Sequence, residues 1–177
     1  MAGIKQALQD VLGQVTALTA PAGGSLFSYV RVFNDHFTRL ERGEIEAFPL
    51  PCALIEIIRP LDFVPIGVGL EQADVTWRIH IGMEQLDAQD GTMEQNLDIF
   101  DQFRDILVAG LSGFKPTACG SLFRTAEEPD YTHTNVYHYI VDFKCGFIDS
   151  KGSPYDAASG QYIYTTPPIG IEIDVTE

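Results

Sequence analysis

The chain has 177 residues, of which 45% are hydrophobic and 20% charged, and 25 acidic against 11 basic residues give a formal net charge of −14. This length suffices for one domain with a real core, and the composition excludes a chain that is disordered throughout. The acidic balance disfavours a general nucleic-acid binder and a protein that docks on anionic lipid. Cys52, Cys119 and Cys145 form no C-x-x-C pair and are expected to be free, buried thiols. No secretory signal pattern and no apolar run of ~20 residues is evident, which favours a protein made in the cytoplasm.

The first third of the chain predicts one helix and two strands. Apolar residues recur at helical spacing over residues 3–18, which favours an amphipathic helix. Residues 25–33 alternate as a strand, and residues 34–46 are mixed and polar, so we expect a loop or one helical turn there. The β-rich run Cys52–Ile58 is expected to be a strand that is buried on both sides.

A strand, an acidic helix and two further strands are predicted over residues 75–149. The first and last of these strands alternate apolar with polar residues, so each has one face of each kind. The helix is expected over residues 92–111, since a hydroxyl residue followed three positions later by Gln begins it. A strand over residues 118–126 and a turn over residues 127–130 precede the last strand. The pattern predicts an α+β fold, with a mostly antiparallel sheet packed by the N-terminal and central helices and exposed on its other face.

Two segments are candidates for contacts between subunits. Residues 1–149 are predicted to form the α+β domain, and residues 150–177 an extended arm whose alternating isoleucines favour addition to a sheet edge. Residues 61–72 are apolar but interrupted by Pro65 and two glycines, so this loop or β-excursion needs its own core or another subunit as a partner. The candidate interface residues are Leu61, Phe63, Val64, Ile66, Val68, Leu70, Tyr162, Tyr164, Ile169, Ile171, Ile173 and Val175.

No motif with catalytic or metal-ligand spacing is present in the sequence. His36, His80, His133 and His138 match no Cys/His ligand pattern, and H-E-x-x-H, the nucleophile elbow and the Walker loop do not occur. His133 and His138 are expected on opposite faces of one strand if the strand extends that far. The histidines are expected to be surface or loop residues. A metal site assembled from distant residues, such as Asp130 with His133, is the alternative. We therefore expect no catalytic residue, no cofactor and no metal.

A function in small-molecule binding or catalysis is a second alternative. The polar face of the sheet would then line a pocket with Arg78, His80, Glu84, His138 and Asp142. Two strands could bring His80 close to His138 or Asp142, which would give an acid–base pair. Dispersal of these side chains on an open face would exclude this alternative.

The order of elements over residues 3–149 resembles one family. An amphipathic helix precedes a strand, residues 48–51 (Phe-Pro-Leu-Pro) lead into a short apolar strand, and a long alternating strand, an acidic helix and two closing strands follow. This order is similar to that of the tail terminator, or tail-completion, proteins of tailed bacteriophages and prophages. Residues 61–72 and the C-terminal arm have no counterpart in the family pattern.

The resemblance implies a structural virion protein, not an enzyme, that assembles into a homo-oligomeric ring, usually a hexamer. The ring would cap the tail tube, end its polymerisation and join the tail to the head–neck connector. The implied partners are other copies of the chain, the tail tube protein and the head–neck connector protein, with DNA only passing through the lumen and no membrane contact. The implied location is the tail or neck of the virion, after virion assembly in the host bacterial cytoplasm. A neck or connector component and a tail tube or baseplate subunit are the alternatives within this structural class.

Overall fold

The chain folds around a mostly antiparallel sheet with helices on both of its faces, as seen in a computed structural model that describes residues 3–58, 61–84, 99–133, 136–152, 155–156 and 161–162. The helices are α1 (Ile4–Thr16), α2 (His36–Glu41) and α3 (Asp105–Leu111), and a π-helical segment (Ile99–Arg104) leads directly into α3. The strands are β1 (Tyr29–Val32), β2 (Cys52–Ile58), β3 (Val64–Gly67), β4 (Leu70–Glu84), β5 (Phe123–Asp130), β6 (Val136–Asp149), β7 (Tyr155–Asp156) and β8 (Gln161–Tyr162). The predicted α+β fold is confirmed.

The two longest strands lie next to each other in the middle of the sheet. The strand order is β1-β2-β4-β6-β5, and β3 pairs with β4 outside this path. β1 and β2 are parallel, whereas the other pairs are antiparallel. β4 and β6 pair continuously, from Glu71 opposite Asp149 to Glu84 opposite Val136. The two strands with the longest alternating patterns therefore form the centre of the sheet. β7 and β8 pair in a separate two-stranded sheet.

One face of the sheet carries the main hydrophobic core beneath α1 and α3. Trp77 of β4 and Phe143 of β6 are opposite each other in register, and neither is accessible to solvent. From α1, Ala7, Val11 and Val15 reach this core at four-residue spacing, which keeps them on one side of the helix. Burying each large apolar side chain contributes about 1.5–3 kcal/mol, so this face supplies most of the hydrophobic stabilisation.

The opposite face is only in part the open polar surface that the alternating pattern predicts, since Asp74 and Lys144 are exposed at one end of it and the other end is covered. At the covered end, α2 and residues 33–51 lie on the sheet, and Phe37 packs with Cys52 and Leu54 in a second, smaller core. Gly82 makes this contact possible, because a Cβ at that position would lie 2.7 Å from both the Cys52 sulfur and the Phe37 ring. The prediction failed because α2 is too short to show helical periodicity and its aromatic residue lies among polar ones.

Several predicted boundaries change in the structure. Residues 127–130 belong to β5 and do not form a turn; Pro129 is tolerated there because β5 is an edge strand. The segment 61–72 is a β-hairpin, in which β3 folds back on the start of β4 and Gly69 adopts a positive φ in the turn. The predicted start of the central helix lies outside the described residues. No helix in the described part of the chain has the length and apolar character needed to cross a membrane.

Candidate functional site

The β3–β4 hairpin exposes a group of large apolar side chains. Phe63, Val64, Ile66 and Val68 are 41%, 60%, 51% and 81% exposed, respectively. Scattered apolar residues are ordinary on protein surfaces, but several large exposed apolar side chains on one short hairpin are typical of an interaction surface. Four of the twelve candidate interface residues therefore lie together at the surface.

Three of the remaining candidate interface residues lie in the described part of the chain, and five lie outside it. Leu61 is half-buried and packs against the main core, and Leu70 is half-buried at the start of β4. Tyr162 lies in β8. The others, Tyr164, Ile169, Ile171, Ile173 and Val175, lie outside the described residues.

The chain leaves the central sheet beside this hairpin. A Cβ on Gly152 would lie 3.3 Å from the Cα of Gly69, which is in the β3–β4 turn. The Phe63 ring also lies near that of Phe147, close to the end of β6, with 6.5 Å between the ring centroids. The segment that follows β6 therefore begins at the same end of the sheet as the exposed hairpin.

A row of polar side chains crosses the covered end of the other face. We call Asp130, His138, His80 and Glu56 the polar stripe, because they lie in this order on the neighbouring strands β5, β6, β4 and β2. Asp130 Oδ2 is 3.1 Å from His138 Nδ1, and His138 Nε2 is 2.9 Å from His80 Nδ1. His80 Nε2 is in turn 3.2 Å from Glu56 Oε2. The sheet thus holds two imidazoles in contact, with a carboxylate at each end.

Both histidines of the stripe are buried, which contradicts the prediction of surface or loop histidines. His80 is 4% and His138 is 3% exposed. Burial lowers the pKa of His80 to about 4, and the positive charge of Arg78 adds to the effect. Burial also lowers the pKa of His138 to about 4, with a further contribution from His80. Since Phe33 stacks on His80 at 3.8 Å and Phe37 lies 4.5 Å from His138, a substrate would reach neither ring without displacing these phenyl groups.

Arg78 and Asp142 form a bidentate ion pair next to the stripe. They are opposite each other on β4 and β6, and the guanidinium donates from Nε and Nη2 to the two carboxylate oxygens, each at 2.9 Å. Hydrogen bonding to Asp142 raises the pKa of Arg78. Parallel hydrogen bonds of this kind add directional specificity to the attraction between charges.

His133 joins the end of the stripe from the segment that follows β5. Its Nε2 is 4.0 Å from Asp130 Oδ2, and its Nδ1 is 3.4 Å from Glu41 Oε2 of α2. The ring centroids of His133 and His138 are 5.4 Å apart, so the two histidines are neighbours. The predicted placement on opposite faces required a strand that extends to His133, whereas β6 begins at Val136. Burial alone would raise the pKa of Asp130, but hydrogen bonds from Thr132 and the nearby histidines hold it below its usual value.

Four of the five polar-face residues considered for a pocket meet in this region: Arg78, His80, His138 and Asp142. Glu84 is exposed at the end of β4. Sequence reasoning missed Glu56 and Glu41, because their positions depend on the β2–β4 register and on α2. Strand alternation places Glu56 on the face of Leu54 and Arg78, so a correct register was the missing information.

A search against protein-family models finds no family that matches the chain, and a comparison with curated proteins finds no match.

Proposed function

We propose that this protein is a structural subunit that assembles through contacts between identical copies into a closed ring, in the manner of a tail terminator. The observation that carries the proposal is the β3–β4 hairpin with its four exposed apolar side chains. The resemblance in element order, over residues 3–149, supports the tail-terminator type in particular.

Contact between unlike surfaces of neighbouring copies accounts for the hairpin. When one patch binds a different patch on the next copy, the contacts close into a ring if the rotation between copies permits it. The hairpin itself forms most of a groove of about 520 Å³, which is the surface proposed to receive a different patch of the next copy. The groove is lined by Asp62, Val64, Ile66, Gln72, Ala73, Asp74 and Lys144. Burying the hairpin against a neighbour would remove its apolar surface from water at about 25 cal/mol per Å².

The partners proposed for such a ring are the tail tube protein on one side and the head–neck connector protein on the other. DNA would pass through the lumen without specific binding. The formal charge of −14 supports this part of the proposal, because acidic walls repel phosphates and let the genome slide. Virion assembly in a bacterial cytoplasm follows from the same proposal.

The assembly proposal is tested by measuring the mass of the full chain in solution, by light scattering after size exclusion, together with negative-stain imaging. We expect closed rings of uniform size from the unaltered chain. The double substitution Val64→Asp and Ile66→Asp places two charges in the proposed contact. It should raise the protein concentration needed for ring formation at least tenfold, while the monomer stays folded.

A matched control separates the hairpin from a general effect of added charge. Val32 is 45% exposed on the edge strand β1, so Val32→Asp makes the same chemical change elsewhere on the surface. Rings that persist in this variant and not in the hairpin variant would support the proposal. A chain that stays monomeric at every concentration would contradict it, and open filaments would indicate a tube subunit.

A further inference from the structure

Three potential metal ligands converge where β5 ends and β6 begins. One ligand atom from each of Asp130, His133 and His138 lies within 4.8 Å of the other two. The side chains of these residues are 25%, 10% and 3% exposed, respectively. Two imidazoles and a carboxylate that are this close and this buried are not an ordinary solvated cluster.

Hydrogen bonding along the polar stripe leaves one position unfilled. Three contacts separate its four groups, but two neutral imidazoles carry only two N–H groups. If His80 Nε2 donates to the Glu56 carboxylate, His80 Nδ1 accepts from His138 Nε2. His138 Nδ1 then carries a lone pair and no proton, with Asp130 Oδ2 3.1 Å away.

The geometry of that nitrogen agrees with this assignment. His138 Nδ1 is buried, and none of the described residues forms a hydrogen bond with it. A lone pair beside a carboxylate in a buried site is costly, because two electron-rich atoms 3.1 Å apart repel each other. A cation bound between the two atoms would convert this repulsion into attraction.

We propose that Asp130, His133 and His138 bind a divalent transition-metal ion, for which Zn²⁺ is the best match. Imidazole nitrogen and carboxylate oxygen are both ordinary zinc ligands, at about 2.0–2.2 Å from the metal. Magnesium and calcium favour oxygen ligands, so a set with two imidazoles selects against them. Three protein ligands leave a fourth coordination position for a water molecule or another ligand.

Groups behind each ligand hold it in place. Asp130 Oδ1 accepts a hydrogen bond from the Thr132 backbone at 2.9 Å, which leaves Oδ2 directed toward the histidines. His138 is backed by His80. His133 Nδ1 lies 3.4 Å from Glu41 Oε2, so a zinc ion on Nε2 would leave Nδ1–H facing a carboxylate. Metal-binding histidines usually have such an outer partner, which fixes the ring and raises its basicity.

The site lies at a junction between parts of the chain that are distant in sequence. Asp130 is the last residue of β5, and His138 is in β6. The Phe37 ring of α2 packs against both imidazoles, with its centroid 5.4 Å from that of His133 and 4.5 Å from that of His138. A bound ion would therefore fix the β5–β6 connection against the layer formed by α2. This inference is independent of ring assembly.

The test uses the full, untagged chain after removal of metal with a chelator. Calorimetric titration with Zn²⁺ should give one ion per chain, and a hundredfold excess over the dissociation constant should raise the unfolding midpoint by roughly 5–10 °C. Asp130→Asn and His133→Gln should each weaken binding on the order of a hundredfold. These two are preferred to substitution of His138, because loss of its contact with His80 would disturb folding as well.

Two controls make the outcome decisive. His36→Gln alters a half-buried histidine elsewhere on the same layer and should bind Zn²⁺ with unchanged affinity. Co²⁺ used as an optical probe should show visible bands without the near-ultraviolet charge-transfer band of thiolate ligands. Absence of Zn²⁺ binding by the unaltered chain, unchanged affinity in the Asp130 and His133 variants, or a thiolate band would each overturn the proposal.

Discussion

The two faces of the sheet are built by the same strands and yet differ in how they are buried. On one face, side chains such as Trp77 and Phe143 form an apolar core beneath two helices. On the other, the same two strands bury His80 and His138 beneath Phe33 and Phe37, at the short helix α2. Asp142 is buried on this face against Arg78. Alternation along a strand therefore determines which residues share a face, whereas the covering layer determines whether that face is wet or dry.

The largest effect is expected on the apolar face. Phe143→Ala removes a fully buried ring from the centre of β6, and we expect the free energy of unfolding to fall by about 3–5 kcal/mol. Urea titration followed by circular dichroism measures this loss. Phe123→Ala, at a phenylalanine that is 55% exposed in β5, should change stability by no more than about 0.5 kcal/mol. Equal losses in the two variants would contradict this account of the core.

A smaller effect is expected where α2 covers the polar face. Gly82→Ala places a methyl group against the Phe37 ring and the Cys52 sulfur, so the covering layer has to shift, at a cost of about 1–3 kcal/mol. Urea titration again gives the difference, and near-ultraviolet circular dichroism reports on the aromatic layer.

Gly146→Ala is the matched control on the same face of the neighbouring strand, toward its open end. The nearest atom to a Cβ there is Gln72 Nε2 at 3.9 Å, which is ordinary contact. We expect a change within about 0.5 kcal/mol, or slight stabilisation through the less flexible unfolded chain. A Gly82 variant as stable as this control would show that α2 is not tightly packed on the sheet.

The smallest effect concerns an ion pair at the rim of the apolar face. Arg104, at the end of the π-helical segment, donates two hydrogen bonds to Glu127 of β5 and holds the pKa of that carboxyl below its usual value near 4.5. The unfolded chain therefore takes up a proton first as the pH falls. The pair's stabilisation is complete well above pH 4.5 and is lost as the pH falls through the lowered pKa.

Glu127→Gln should remove this part of the acid sensitivity and cost less than about 1 kcal/mol at pH 7, because the pair is partly solvated. Thermal unfolding between pH 3 and pH 7 compares the two chains. Identical pH profiles would show that the pair does not contribute.

Much of the fold was accessible from sequence because its signals are long. Helical spacing over residues 3–18 corresponds to α1, and the alternating runs correspond to β4 and β6. Short elements gave no comparable signal: α2 has six residues, and residues 127–130 have the composition of a turn although they continue a strand. An edge position, which the sequence does not reveal, is what permits Pro129 in β5.

The candidate sites also differ in how far the sequence alone predicts them. The hairpin segment is a candidate from sequence alone, since an apolar run interrupted by Pro65 and glycines needs either its own core or another subunit as a partner. The pairing of His80 with His138 was considered as an alternative and is present. The convergence of His133 with Asp130 and His138 depends on the course of the segment that follows β5, and His80 meets Glu56 through the β2–β4 register. Neither follows from spacing along the chain.

The bidentate pair between Arg78 and Asp142 has a consequence for how β4 and β6 find each other. Fourteen residues of each strand align, and a slip by one position would turn every apolar side chain of the moving strand to the wrong face. In a chain slipped by one position, Asp142 would no longer lie across from Arg78 and would face the helices as an unpaired buried carboxylate. Two charges in the middle of the longest pairing thus favour the native register, because a misregistered sheet would have to bury a carboxylate without its partner.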